Sequence, residues 1–435
     1  MYNKVKKFTA VTLLLAITVS IVYKVQLIGE RTKYSNVVKQ SGAFSNNAGY
    51  PYNFIEEGFE SERNDVESKI NRADSTEVSV SVINLFTDLF KLAKDLFNGS
   101  VIFGSAEFSD RFIDIFNGLF SVDQKIAADN PDPEDKLNNK GFVSSAASII
   151  WNYMDYYDTK RVSGQQMSDG VTVIKDIPYV NDGNIYHNLD IYSPEGNEEK
   201  LPVIIQIHGG GLMYAEKEIN RVYNSRLAAK GYIVIAVNYR LCPDVIYPSQ
   251  VEDIMSSYRW VAENGEKYNC DLNNVFVVGD SAGGQLAFYT SIVNTSDELK
   301  QLYNTPDTGL NINAVGLISG MYDMKNGINS ALISCILGYD YRNSKYYPYL
   351  QPEEIIDKGT LPPAYMVTSV KDFLHSSSVN LDELLTKKGI VHKFHDWDFT
   401  INESSGHITS VAYPDLPESI ETTNEMLAFF DEYMK

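Results

Sequence analysis

Two glycine-rich runs of this 435-residue chain hold residue types that can do carbonyl chemistry together: His208-Gly209-Gly210-Gly211 and Gly279-Asp280-Ser281-Ala282-Gly283-Gly284. The second sets a serine among small residues. A serine hydroxyl attacks a carbonyl carbon only once a base takes its proton. It must also stand clear of the backbone. A tight strand-to-helix turn exposes it, and Gly279 and Gly283, two before and two after Ser281, relieve the crowding of such a turn. The first run offers what the attack needs next: backbone N–H groups for the negative charge that grows on the carbonyl oxygen. The N–H groups of Gly209, Gly210 and Ala282 are the expected donors. Either run alone is commonplace in loops; their order and setting make the pair informative.

A serine on such a turn takes its acid and then its histidine from further along the chain. Of six histidines, His187 and His208 precede Ser281. His375 opens a predicted helix, and His392 and His395 fall in the strand pattern Ile390 to Trp397. His407 sits in a polar loop, Glu403-Ser404-Ser405-Gly406-His407, and is the expected base. The acid should follow a strand. Asp372, just past Ala364 to Val370, is the expected one. Asp323, after Ala314 to Ser319 and a short turn, is the rival, and Asp398 reads as a surface carboxylate.

These residues need rigid elements behind them. Leu201 to Ile207 and Asn274 to Val278 are apolar and rich in β-branched residues, the pattern of buried parallel strands. The glycine run follows the first at once and the serine run follows the second. Gln285 to Tyr289 continues as a helix, whose N-terminal dipole favours negative charge at Ser281. The pattern predicts an α/β fold: an eight-stranded, mostly parallel sheet with helices on both faces. Strands are expected at 171–180, 185–192, 202–207, 232–238, 274–279, 313–319, 364–370 and 391–397. The tyrosine-dense stretch Tyr339 to Leu350 reads as an insertion that could wall a pocket.

The two runs, with Tyr239-Arg240-Leu241-Cys242-Pro243-Asp244 between them, resemble the hormone-sensitive lipase-like branch of the α/β-hydrolases. Tyr247-Pro248, Glu252-Asp253 and Leu361-Pro362-Pro363-Ala364 add to the likeness, which spans about residues 170 to 433. The resemblance implies a serine carboxylesterase or lipase with Ser281, Asp372 and His407 as triad. It also implies that the N-terminal part helps cap the acyl pocket. The chain departs in carrying Cys242 for the usual alanine, Asp244 for the usual glutamate, and no aromatic directly after His407. Two other activities fit the same residues: an acetyl esterase on cell-wall or plant polysaccharide, and an inactive hydrolase-fold binding module.

The formal charge of −20 disfavours nucleic acid and polyanionic substrates. A small-molecule ester is the expected partner; the sequence says nothing of oligomeric state. Three cysteines, Cys242, Cys270 and Cys335, are too few and odd in number for a disulfide framework. No metal-binding spacing is present, so neither metal nor cofactor is expected.

The rest of the chain reads as two N-terminal regions. In 1–29, Lys4, Lys6 and Lys7 precede an uncharged apolar run from Phe8 to Tyr23, the pattern of a signal-anchor or signal peptide. The poor cleavage pattern favours a single-pass anchor with the catalytic domain outside the cell membrane; a secreted protein is the alternative. Residues 30–168 read as a polar linker and a helical cap. Its helix patterns include Val82 to Phe97, Phe108 to Phe120 and Phe142 to about Tyr157. The catalytic domain is expected over 169–435.

Overall fold

The computed structural model describes residues 158–325, 333–338, 341–398 and 406–435, with isolated helical positions at Asp88, Arg111, Asp114, Trp151, Met154 and Asp155. The chain divides after Thr87, and every described residue belongs to the unit Asp88–Lys435. The Phe8 to Tyr23 run and most of the three helix patterns before residue 158 lie outside the described residues, as does Tyr339. No helix among the described residues is long and apolar enough to cross a membrane.

Eight strands form one sheet: β1 (Val171–Pro178), β2 (Asn188–Pro194), β3 (Leu201–Ile207), β4 (Ile233–Val237), β5 (Cys270–Asp280), β6 (Ala314–Ile318), β7 (Ala364–Ser369) and β8 (His392–Trp397). Their spatial order is β1-β2-β4-β3-β5-β6-β7-β8. β2 runs antiparallel to both neighbours. All pairings from β4 through β3 to β8 are parallel. Parallel strands need crossovers, here supplied mainly by helices: α1 (Arg221–Ala228), α2 (Ser249–Asn264), α3 (Ala282–Asn294), α4 (Asp297–Tyr303) and α5 (His375–Lys388). The short α6 (Thr409–Ala412) and α7 (Pro417–Asp431) follow β8.

Burial explains why the central strands were legible. β4 and β6 are buried at every position, as are the last six residues of β5 before Ser281. Tyr192, Ile204, Val234, Phe276 and Val278 share one core with Tyr223 and Leu227 of α1 and with Met426 and Phe430 of α7. Phe276 stacks on Phe430 with ring centres 4.5 Å apart. The alternate residues Val275 and Val277 are equally buried, so the sheet is covered on both faces. Each such side chain contributes about 1.5–3 kcal/mol by leaving water. α2 buries Val251, Ile254, Met255, Tyr258 and Val261, one helical stripe. α3 is buried on every side from Ala282 to Val293. The helix that begins just after the serine is therefore enclosed on all sides up to its last residue.

Two expected strand starts moved by more than one residue. Residues Ile185–His187 form a 3-10 turn capped by the Asn184 side chain, so β2 begins at Asn188. β5 begins earlier than expected, because Cys270 and Asp271 pair with Leu201 and Pro202 before an irregularity in register. β8 is a half-exposed edge strand rather than an apolar one; His392, Lys393, His395 and Asp396 lie within it.

Candidate active site

The chain turns sharply where β5 ends. Ser281 sits at φ 54°, ψ −119°, between the last residue of β5 and the first of α3. A serine in that conformation costs on the order of 1–3 kcal/mol, so its surroundings must impose it. They do so through the backbone. The Ser281 N–H donates to the Ile318 carbonyl at 2.8 Å, and the Ser281 carbonyl accepts from Gln285 and Met321 N–H at 3.1 Å each. The small residues on either side are sterically required. A Cβ on Gly279 would run into the Gly283 carbonyl oxygen, and one on Gly283 would run into the Ile207 carbonyl at the end of β3.

Two further side chains converge on Ser281. His407 Nε2 lies 3.0 Å from Ser281 Oγ, and His407 Nδ1 lies 2.8 Å from Asp372 Oδ1. A ring nitrogen facing a carboxylate carries the proton, so Nδ1–H donates to Asp372 and Nε2 accepts from the serine hydroxyl. Asp372 is fixed in turn. Its Oδ1 accepts the Leu374 N–H at 2.8 Å, and its Oδ2 accepts the Thr368 hydroxyl at 3.1 Å. Phe373 packs against the His407 ring with centres 4.3 Å apart. The loop around His407 is strapped at both ends: Ser369 Oγ donates to the Gly406 carbonyl at 2.8 Å, and the Ile408 N–H donates to Ser319 Oγ at 3.3 Å.

The rival residues are engaged elsewhere. Asp323 accepts the Lys325 N–H, and Asp398 is exposed. His375 pairs with Asp396, His392 with Asp382, His395 with Glu425, and His187 with Asp182 and Asp253. His208 is buried, stacked on Tyr239 at 4.4 Å, and donates from Nδ1 to the Gly209 carbonyl at 2.7 Å. Burial lowers its pKa to about 4, so it is neutral near pH 7.

The glycine run lies directly on the serine turn. A Cβ on Gly209 would come 3.1 Å from Ser281 Cβ. The Gly209 N–H, one of three expected oxyanion donors, is already committed: it donates to Asp280 Oδ2 at 3.2 Å. Gly210, at φ 113°, turns the chain, and its carbonyl accepts the N–H groups of Met213 and Tyr214. The N–H groups of Gly210, Gly211 and Ala282 donate to no protein acceptor among the described residues. Gly211 thus joins the candidate donors, a position that glycine spacing alone could not distinguish from Gly209.

Asp280 itself gave no signal in the sequence beyond its neighbour. Its buried carboxylate accepts from Gln206 Nε2 at 3.2 Å, Asn220 Nδ2 at 2.6 Å and the Gly209 N–H. Burial raises its pKa to about 6, against the opposing pull of Asn220, His407, the Gly209 N–H and Arg161. Three carboxylates elsewhere, Asp176, Asp190 and Glu218, lie close enough together to share a cation. They already share the Lys217 ammonium, at 2.8, 3.3 and 2.9 Å.

The BD-FAE family model matches residues 189–385, which include the serine turn and Asp372. Esterase LipI of Mycobacterium tuberculosis is 26% identical over 253 residues, covering 53% of this chain and 72% of that protein. A protein of Acanthamoeba polyphaga mimivirus described as an alpha/beta hydrolase is 37% identical over 109 residues. That match covers 25% of this chain and spans only 31% of the viral protein's length. Among solved structures, esterase B from Lactobacillus rhamnosis superposes with a TM-score of 0.64 at 26% identity, over 67% of this chain and 95% of that one. The same esterase has also been solved inhibited by a C4-C4 SN3 tributyrin phosphonate.

Proposed function

We propose that this chain, an α/β-hydrolase of the hormone-sensitive lipase-like esterase and lipase group, cleaves small to medium carboxylic esters through an acyl-enzyme on Ser281. The observation that carries the reading is the position of His407, 3.0 Å from Ser281 Oγ and 2.8 Å from Asp372 Oδ1. His407 Nε2 takes the Ser281 proton as Oγ attacks the ester carbonyl. Asp372 keeps the imidazole in the Nδ1–H tautomer and stabilises the imidazolium that forms. The oxyanion is received by the N–H groups of Gly210, Gly211 and Ala282, near the positive end of α3. His407 then protonates the leaving alcohol. Water repeats the sequence and releases the acid. A phosphonate-inhibited esterase among the similar structures supports serine chemistry on a short acyl glyceride ester.

The test is ester hydrolysis by purified full-length protein. Ser281→Ala and His407→Ala should each lower kcat on p-nitrophenyl butyrate by about 10⁶-fold with the fold intact. Asp372→Asn should lower it by about 10⁴-fold, and Asp323→Asn should leave it unchanged. A fluorophosphonate probe should label Ser281 alone. Near-normal activity in His407→Ala would remove the triad. A probe that fails to label the folded protein would revive the inactive binding module. Faster release of acetate from acetylated glycans than from simple esters would move the substrate to polysaccharide.

A further inference from the structure

The two loops that serve Ser281 are joined by a bridge that does not pass through the sheet. Helical residues 158–163 precede β1 in sequence and reach both loops. On the glycine-run side, the Tyr214 hydroxyl donates to Asp158 Oδ2 at 2.9 Å. Tyr214 is also the residue whose N–H holds the Gly210 carbonyl at 3.1 Å. In the middle, Arg161 donates to Asp158 Oδ1 from Nε at 3.1 Å and from Nη2 at 3.0 Å. On the histidine side, Arg161 Nη1 donates to the Ala412 carbonyl at 2.7 Å, where Gln165 Nε2 also donates at 2.8 Å. Ala412 ends α6, and its own N–H holds the Ile408 carbonyl, one residue past His407, at 2.9 Å.

The bridge is sheltered and braced. The Arg161 and Asp158 side chains are 13% and 19% exposed, so this ion pair works in a lower dielectric than a surface pair. Trp151 stacks on Tyr214 at 5.4 Å and donates from its indole N–H to Met213 Sδ at 3.0 Å. A Cβ on Gly211 would come 3.0 Å from the Trp151 ring, so the indole lies close against this glycine. An arginine suits the centre of such a bridge, because its planar fork can hold a carboxylate and a carbonyl at once.

We propose that Asp158 and Arg161 are positioning residues that set the distance between the oxyanion donors and His407. This rests on the serine-esterase reading of Ser281. Neither residue touches the reacting atoms; each acts through a loop. A displacement of about 1 Å between groups that act together costs about 10²-fold in rate. The loss should therefore appear in kcat rather than in KM.

The experiment is steady-state hydrolysis of p-nitrophenyl butyrate by the full chain, with active sites counted by fluorophosphonate labelling. Arg161→Ala and Asp158→Ala should each lower kcat per labelled site by about 10–100-fold with KM nearly unchanged. The double variant should be no worse than either single one, since both break the same bridge. Millimolar guanidinium should partly restore Arg161→Ala and leave Asp158→Ala unmoved. Wild-type kcat per labelled site in both single variants would overturn the proposal, as would losses that multiply in the double variant. A wild type that takes no label overturns the serine-esterase reading and the proposal with it.

Discussion

Asp280 joins the two glycine-rich runs through one buried carboxylate, and its titration follows from that position. The carboxyl is raised from 3.8 to about 6, chiefly by burial. The folded protein therefore holds this proton more tightly than the unfolded chain does. Its favourable contribution is full below 3.8, declines between 3.8 and about 6, and is gone above that. The full swing is on the order of 3 kcal/mol. Asp280→Asn keeps an acceptor for the Gly209 N–H but cannot ionise. Its stability relative to wild type should rise across that window, read from urea midpoints at several pH values; a pH-independent difference would remove the assignment. Ser281, Asp372 and His407 were legible because each follows a recognisable strand or sits in a polar loop. Which glycine N–H groups are left without a protein acceptor was not. That choice depends on Gly210 at φ 113° and on the acceptor Asp280 offers Gly209, neither visible in a run of identical residues.

Among the elements, sequence pattern and fold agree where burial is two-sided and part where it is not. β3, β4, β6 and β7 are apolar because helices cover both faces. The edges obey weaker rules. β8 mixes histidine and charge, and Ile185 is 60% exposed in a turn that an apolar alternation alone reads as strand. The His407 loop is fastened to two strand ends, by Ser319 after β6 and by Ser369 at the end of β7. Ser369→Ala removes one fastening of about 1 kcal/mol, equivalent to about fivefold in rate. The variant should lose about that much kcat, while fluorophosphonate still labels Ser281 stoichiometrically. Unchanged kcat would show that the remaining strap alone positions the base.

For the whole molecule, the net charge of −20 is the dominant property. Like charges repel across a compact surface, and salt screens them over about 10 Å at 0.1 M. Raising sodium chloride from about 10 to about 200 mM should therefore raise the melting temperature. A gain of about 1 kcal/mol corresponds to about 2–4 °C in a domain of this size. A falling melting temperature would mean that favourable ion pairs, such as that of Arg226 with Asp415, outweigh the repulsion. The bridge through Arg161 was illegible because its ends are far apart in the chain: Arg161 and Ala412 are 251 positions apart. Only the folded sheet brings them together.

A similar separation governs when the contact between Ser281 and His407 can form. Ser281 and His407 are 126 positions apart, and Ala412 follows His407 by only five more. During synthesis β6, β7 and β8 are all made between Ser281 and His407. The nascent chain therefore carries Ser281 without its histidine partner until all three strands have followed it. The contact of serine and histidine is thus a property of the folded sheet and of neither segment alone.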